Sequence, residues 1–391
     1  MLLSVLAVLV VLSPIVIVHE FGHFLACRLT GIRVNEFSFG FGKILWHKKV
    51  GDTDYQIRAI PFGGFVEPAG PMFHPDNAKE PPKPYEFAAK KWYAKFFMVV
   101  NGAFFNYVLA AVIFSVLIFI QGMPQTDPAL LPAKVGSAGK KYPVATIDLK
   151  EGDLITAVDG KAVSSWQDLT DALKARNGDL SLDYTREGTP MSAVVKADAF
   201  RTDAPYVLGI TAAPAYYRVS PWAAVGYGLY QCYYWTKFSL ASLAESFTKK
   251  KAPELAGPIG IVNVIHQSVH RSLLDFVFLI AMLSLAVGMF NLFPIPILDG
   301  GYALVYLAEG ITHKLPTEKW LNIAANVGLY ILILLVVYAS YSDIKRIFFK
   351  PKPAAVAQTQ GQAAAPENGP TGGPDAKAAQ TTSTEEPYVQ D

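Results

Sequence analysis

The chain has 391 residues, 52% of them hydrophobic and 17% charged, with a formal net charge of +2. Its mean hydropathy is positive, which is unusual for a soluble protein. Its two cysteines, Cys27 and Cys232, lie far apart and form no Cys-x-x-Cys pattern, so neither a disulfide framework nor a cysteine zinc site is implied.

The first apolar run, Leu2 to Val18, leads directly into His19-Glu20-Phe21-Gly22-His23. Residues 1–28 are expected to form a first membrane span. Residues four apart share a face of a helix, so His19 and His23 can hold one metal ion with Glu20 beside it, the HExxH pattern of zinc proteases. The plain alternative is a polar patch in a helix bundle. Three ionisable side chains at membrane depth need a compensating partner, however, and a metal supplies one. Leu25-Ala26-Cys27 resembles a lipoprotein cleavage box, but no basic residue precedes the run and the ionisable residues interrupt it, so a retained span is expected.

Residues 29–95 carry Arg33, Lys43, Lys48, Lys49, Arg58, Lys79, Lys83, Lys90, Lys91 and Lys95, an excess that favours the cytoplasmic side. Within them, Glu36 to Trp46 and Tyr55 to Val66 read as a glycine-punctuated β-hairpin, and Asp76 to Pro84 as a polar loop. Residues 96–121 form a second uncharged run, long enough to span.

Residues 122–217 have the composition of a soluble domain. Strand-like runs at Leu154 to Val158, Leu180 to Tyr184 and Ala193 to Ala197 surround a helical run, Trp166 to Ala175. Alternation of spans puts this domain outside the cytoplasm. Residues 218–272 hold Trp222, Tyr227, Tyr230, Tyr233, Tyr234 and Trp235, rings that favour the membrane interface, and an interfacial helix is expected there, with Lys249 to Lys251 at the headgroups. Residues 273–299 are a third span, 300–320 a cytoplasmic-side connector and 321–343 a fourth span. Residues 344–391, rich in Ala, Gln, Pro, Gly and Thr, are expected to be disordered. Four spans place both termini outside, although Lys345, Arg346, Lys350 and Lys352 would favour the inside.

A catalytic zinc needs a third protein ligand. His47, His74, His266, His270 and His313 sit in no comparable pattern. Asp299 is the better candidate, in Asn291-Leu292-Phe293-Pro294-Ile295-Pro296-Ile297-Leu298-Asp299-Gly300-Gly301. Two alternating prolines cannot continue a helix, and non-helical backbone at this depth is tolerated only where protein buries it or water lines it. The plain alternative makes Asp299 the N-cap of a helix from Gly300 to Glu309.

These two segments together closely resemble the site-2 protease family, in its bacterial RseP-like branch. The resemblance covers about Met1 to Arg346 and extends to the glycine-rich β-loop, to Ala256-Gly257-Pro258-Ile259-Gly260, and to a PDZ-like domain carried by Glu151-Gly152-Asp153-Leu154-Ile155-Thr156-Ala157-Val158-Asp159-Gly160 and Val207-Leu208-Gly209-Ile210. There is room for one such domain, whereas well-studied members carry two. The implied fold is a polytopic α-helical membrane protein of four transmembrane segments, with a cytoplasmic-side β-loop and an inserted extracytoplasmic PDZ-like α+β domain. The resemblance implies Zn2+ held by His19, His23 and Asp299, with Glu20 as general base. It also implies a substrate-contacting element at Asn291, Pro294 and Pro296. The implied partners are transmembrane segments of other proteins, such as anti-sigma factors, and the lipid bilayer, with no nucleic acid. The implied place is the bacterial inner membrane. Processing of signal-peptide remnants or pheromone precursors, and an idle PDZ scaffold, are the alternatives.

Overall fold

The computed structural model describes residues 2–71, 80–139, 142–200, 207–248, 257–314 and 316–349. Residues 344–349, expected in the disordered tail, are helical, whereas 350–391 and the Lys249 to Lys251 cluster lie outside the described residues. The chain divides into two compact units, residues 1–121 with 219–354, and residues 122–218.

The first unit opens with helix α1 (Leu2–Leu29), followed by strands β1 (Val34–Val50) and β2 (Thr53–Pro68) and helix α2 (Trp92–Gln121). The hairpin is longer than the alternation in the sequence suggests, because its glycines bend the strands without ending them. Gly40, at φ +87°, would drive a Cβ to 2.6 Å from the Ile60 carbonyl oxygen. Residues 36–39 consequently stand between two segments of β2, aligning with residues 64–67 on one side and 54–57 on the other.

The second unit contains β3 (Met123–Pro124), β4 (Val135–Ala138), β5 (Leu154–Val158), β6 (Lys161–Ala162), α3 (Trp166–Ala175), β7 (Leu180–Arg186), β8 (Thr189–Val195), β9 (Ile210–Ala212) and β10 (Tyr216–Tyr217). An antiparallel sheet runs β6-β5-β7-β8, with the smaller pairs β4-β9 and β10-β3. Asp159-Gly160 and Glu187-Gly188 turn the two tight hairpins with positive φ at both residues. A capping box of Ser165 and Asp168 starts α3. Leu169 and Leu173 then pack on Ile155, Val158, Leu180, Leu182 and Val195.

The first unit resumes with α4 (Pro221–Thr248), α5 (Pro258–Val269), α6 (Leu273–Asn291), α7 (Asp299–Thr312) and α8 (Glu318–Phe349). Among the described residues, four helices are long and apolar enough to cross a membrane, namely α1, α2, α6 and α8. One expected boundary changes. The stretch 300–320 is mostly helix α7, and Asp299 opens that helix instead of ending the third span. The expected interfacial helix is α4, which stands beside the middle of α2. Gly228 abuts Ala111 and Ser115, and the Tyr107 hydroxyl lies 3.2 Å from the Thr236 hydroxyl. Cys232 joins Ala110, Phe114, Ala281 and Leu285 in one apolar cluster. The small residues on this face of α4 let two helices approach closely, and counting aromatic rings does not reveal that face.

Candidate metal centre

Helix α1 brings His19 and His23 onto one face, with their Nε2 atoms 3.3 Å apart. Asp299, at the start of α7, turns its Oδ2 towards both, 3.2 Å from His19 Nε2 and 3.6 Å from His23 Nε2. Among the described residues, these three form the group that could hold a metal ion. With zinc bonds of about 2.0–2.1 Å, tetrahedral ligand atoms lie about 3.3 Å apart, so the three atoms fit one ion and leave room for a fourth ligand. Asp299 Oδ2 is buried with the two imidazole nitrogens as its polar neighbours and no well-aligned hydrogen bond to either, an environment that a shared metal would satisfy.

Asp299 does not cap α7. The N-cap residue is Leu298, and no side chain makes a capping hydrogen bond there. The loop before it folds back tightly. The Ile295 N–H donates to the Phe293 carbonyl at 2.7 Å, and that of Leu298 to the Ile295 carbonyl at 3.0 Å. Ile297 holds φ at +87°, a costly conformation for a β-branched residue. Gly300 and Gly301 lie directly against the carbonyls of Leu292 and Ile295, where a Cβ would collide, so the Asp-Gly-Gly sequence permits this fold-back. Pro294 is exposed and Pro296 half-buried, with the Pro296 carbonyl against Gly328 of α8. Asn291 ends α6, half-buried, and its amide makes no hydrogen bond among the described residues.

Glu20 faces β2. A Cβ on Gly64 would come within 3.1 Å of the Glu20 Cγ, and the Val66 amide lies beside the Glu20 carboxylate. The other histidines stand apart from this group. His47 pairs with Asp54 at 3.2 Å, His266 and the C-cap His270 meet edge-to-face and exposed at the end of α5, His313 ends α7, and His74 lies outside the described residues.

Helix α2 supplies the floor of the centre, which sequence reading misses. His23 Nδ1 lies 2.8 Å from the Met98 carbonyl oxygen, Gly102 passes against both imidazoles, and Asn106 Nδ2 lies 3.2 Å from His19 Nδ1. Asn101 donates to the Gly22 carbonyl at 2.7 Å and locks α1 to α2. The available signal was two asparagines flanking a glycine in an otherwise apolar span, where polar groups are expensive and small residues mark helix contacts.

A histidine pair on α1, a helix of spanning length, meets a carboxylate from the shorter α7 at metal-ligand distances, an arrangement that suits a membrane metalloenzyme. The profile of peptidase family M50 matches residues 7–335, and this chain belongs to that family. A Rickettsia conorii protein carrying a zinc-metalloprotease name is 30% identical over 367 residues, covering 89% of this chain and 100% of its own length. Zinc metalloprotease RasP of Geobacillus kaustophilus is 24% identical, covering 88% of this chain and 98% of its own. The regulator of sigma-W protease RasP of Bacillus subtilis is 26% identical, covering 88% and 99%. The solved PDZ domain of a Listeria monocytogenes SdrC-like protein is 28% identical over 20% of this chain and 84% of its own, with a TM-score of 0.18. The chain is a multi-pass zinc metalloprotease of the site-2 type.

Proposed function

We propose that this protease hydrolyses peptide bonds inside transmembrane segments of other membrane proteins, with zinc held by His19 Nε2, His23 Nε2 and Asp299. The convergence of those three ligand atoms within 4.8 Å of one another carries the reading. Bound zinc supplies a Lewis acid and lowers the pKa of a water towards neutrality. Glu20 takes the proton of the attacking water and returns it to the leaving nitrogen. A substrate helix hides its carbonyls in hydrogen bonds and must unwind before attack. The stretch of β2 beside Glu20 supports pairing with the unwound peptide as an added strand, and Asn291, Pro294 and Pro296 are the proposed substrate-contacting residues.

The substrates are single-span regulators such as anti-sigma factors, a reading favoured by the sigma-W regulatory name of the Bacillus subtilis relative. The membrane is the bacterial inner membrane. The metal centre and hairpin lie towards the cytoplasm, and residues 122–217, read as PDZ-like, lie outside. The test is a pair of variants on purified protein with a single-span substrate. Glu20→Gln should abolish cleavage and keep zinc, whereas His19→Ala, His23→Ala or Asp299→Ala should lose both. Full activity in Glu20→Gln would overturn the base assignment, and a zinc-replete, active Asp299→Ala would remove it from the ligand set.

A further inference from the structure

A histidine that ligates zinc through Nε2 must carry its proton on Nδ1, and that N–H needs an acceptor. The requirement is already met for His23. Its Nδ1 faces the Met98 carbonyl oxygen at 2.8 Å, a group that can only accept, so Nε2 is left with a free lone pair. His19 has no backbone carbonyl at its Nδ1. It has the Asn106 carboxamide, at 3.2 Å and with no exposure to solvent.

The amide turns its NH2 towards Nδ1 and leaves Oδ1 buried without a hydrogen bond among the described residues. In that orientation Nδ1 accepts, the ring proton sits on Nε2, and it points into the position the metal needs. A half-turn of the amide exchanges N and O with almost no movement of atoms, and the two are not distinguished by shape. The exchange sets Oδ1 against Nδ1, which then donates, and frees Nε2. The NH2 group takes the place that Oδ1 leaves.

We propose that Asn106 is a positioning residue. Its Oδ1 accepts from His19 Nδ1–H and so fixes the tautomer in which His19 Nε2 can ligate zinc. The inference rests on the assignment of His19 as a ligand. The placement supports it: Met98, Gly102 and Asn106 recur every four residues on one face of α2, so one helix addresses both imidazoles, with Gly102 leaving room between them. Asn106 is itself held from α6, where the Ser284 hydroxyl donates to its backbone carbonyl at 2.9 Å.

The experiment measures zinc affinity of the full chain in detergent micelles, by competition with a colorimetric chelator, alongside thermal melting of the metal-free protein. Asn106→Leu keeps the side-chain size and removes the acceptor. It should weaken zinc binding by about 10- to 100-fold while the metal-free melting temperature holds. Asn106→Asp keeps an acceptor and should bind zinc at least as tightly as the parent. Parental affinity in Asn106→Leu overturns the proposal. So does an Asn106→Asp protein as weak as Asn106→Leu, because the amide donor would then be what matters. If Asn106→Leu does not fold, Asn106→Asp alone decides. His19→Ala is the control that separates the two levels: full zinc affinity there would overturn the ligand assignment itself, whereas its loss together with an unaffected Asn106→Leu would overturn the tautomer role alone.

Discussion

The Lys95 ammonium meets both carboxylate oxygens of Glu309, at 2.9 and 3.2 Å, with the lysine side chain only 2% exposed. Lys95 lies in the first turn of α2, the helix that addresses both imidazoles, and Glu309 lies in α7, the helix that opens with Asp299. The pair therefore ties the helix under the imidazoles to the helix bearing the carboxylate. Removing one partner of a buried pair leaves an uncompensated charge, at a cost of about 3–5 kcal/mol. Lys95→Met should lower the melting temperature in detergent and speed zinc release. The double variant Lys95→Met, Glu309→Leu should regain most of the stability. A Lys95→Met protein that melts with the parent would show that the pair holds nothing in place.

Gly102 is a second point where α2 constrains the metal. A Cβ there would collide with His23 Nε2 and lie 2.9 Å from His19 Cε1. Gly102→Ala must push a ligand nitrogen aside or part α1 from α2. It should lose most zinc and at least tenfold in cleavage rate, as expected for a displaced ligand sphere. Zinc content per chain checks this directly, and a zinc-replete Gly102→Ala would contradict the close approach.

Much of this centre is legible in the sequence, and for a local reason. His19, Glu20 and His23 lie within one and a half turns of a helix, so spacing alone gives their relation. The floor of the site is not legible in this way. Met98 acts through a backbone carbonyl, which any residue possesses, and Gly102 acts through what it lacks. Asn106 matters only because α2 packs on α1 at that level. Bundle membership of α4 is hidden for the same reason, because its small face is visible only against Ala111 and Ser115. Asp299 could be singled out from the prolines before it, and a helix starting beside it was legible too, but not that its carboxylate turns to the histidines instead of capping that helix.

The second unit carries a separate electrostatic prediction. Arg186 holds the buried Asp153 carboxylate through two nitrogens, at 2.9 and 2.8 Å, and reaches Asp148 at 2.8 Å. Hydrogen bonding from Arg186 keeps both carboxyls below their ordinary range. The Ser164 hydroxyl, followed by the Ser164 and Ser165 amides, lowers Asp168 from 3.8 to about 2. A carboxyl depressed in the folded state stabilises it above the unfolded pKa, and the contribution is lost as pH falls through the folded value. Urea midpoints of a 122–218 fragment should hold above about pH 4 and decline below it, down to about 2. Arg186→Met should lower the midpoint at neutral pH and flatten the decline. A midpoint rising from pH 4 to pH 2 would reverse the sign of this account.

Asn291 is where substrate handling and metal binding can be separated. It closes α6 eight residues before Asp299, in front of a loop whose backbone is folded on itself through Ile295 and Leu298. One role for its amide would be to satisfy carbonyls freed by Pro294. The amide makes no hydrogen bond among the described residues, which leaves its donor and acceptor available to an extended peptide. Asn291→Leu should therefore slow cleavage of a helical substrate, by about tenfold or more if two substrate hydrogen bonds of about 1 kcal/mol each are lost. A substrate whose span carries Gly or Pro near the cut should suffer less, because less of its unwinding depends on the enzyme. Zinc content and melting temperature should stay at parental values. If Asn291→Leu strips the metal or unfolds the protein, the residue supports the loop and does not hold substrate. If it cleaves both substrates at the parental rate, the contact does not exist.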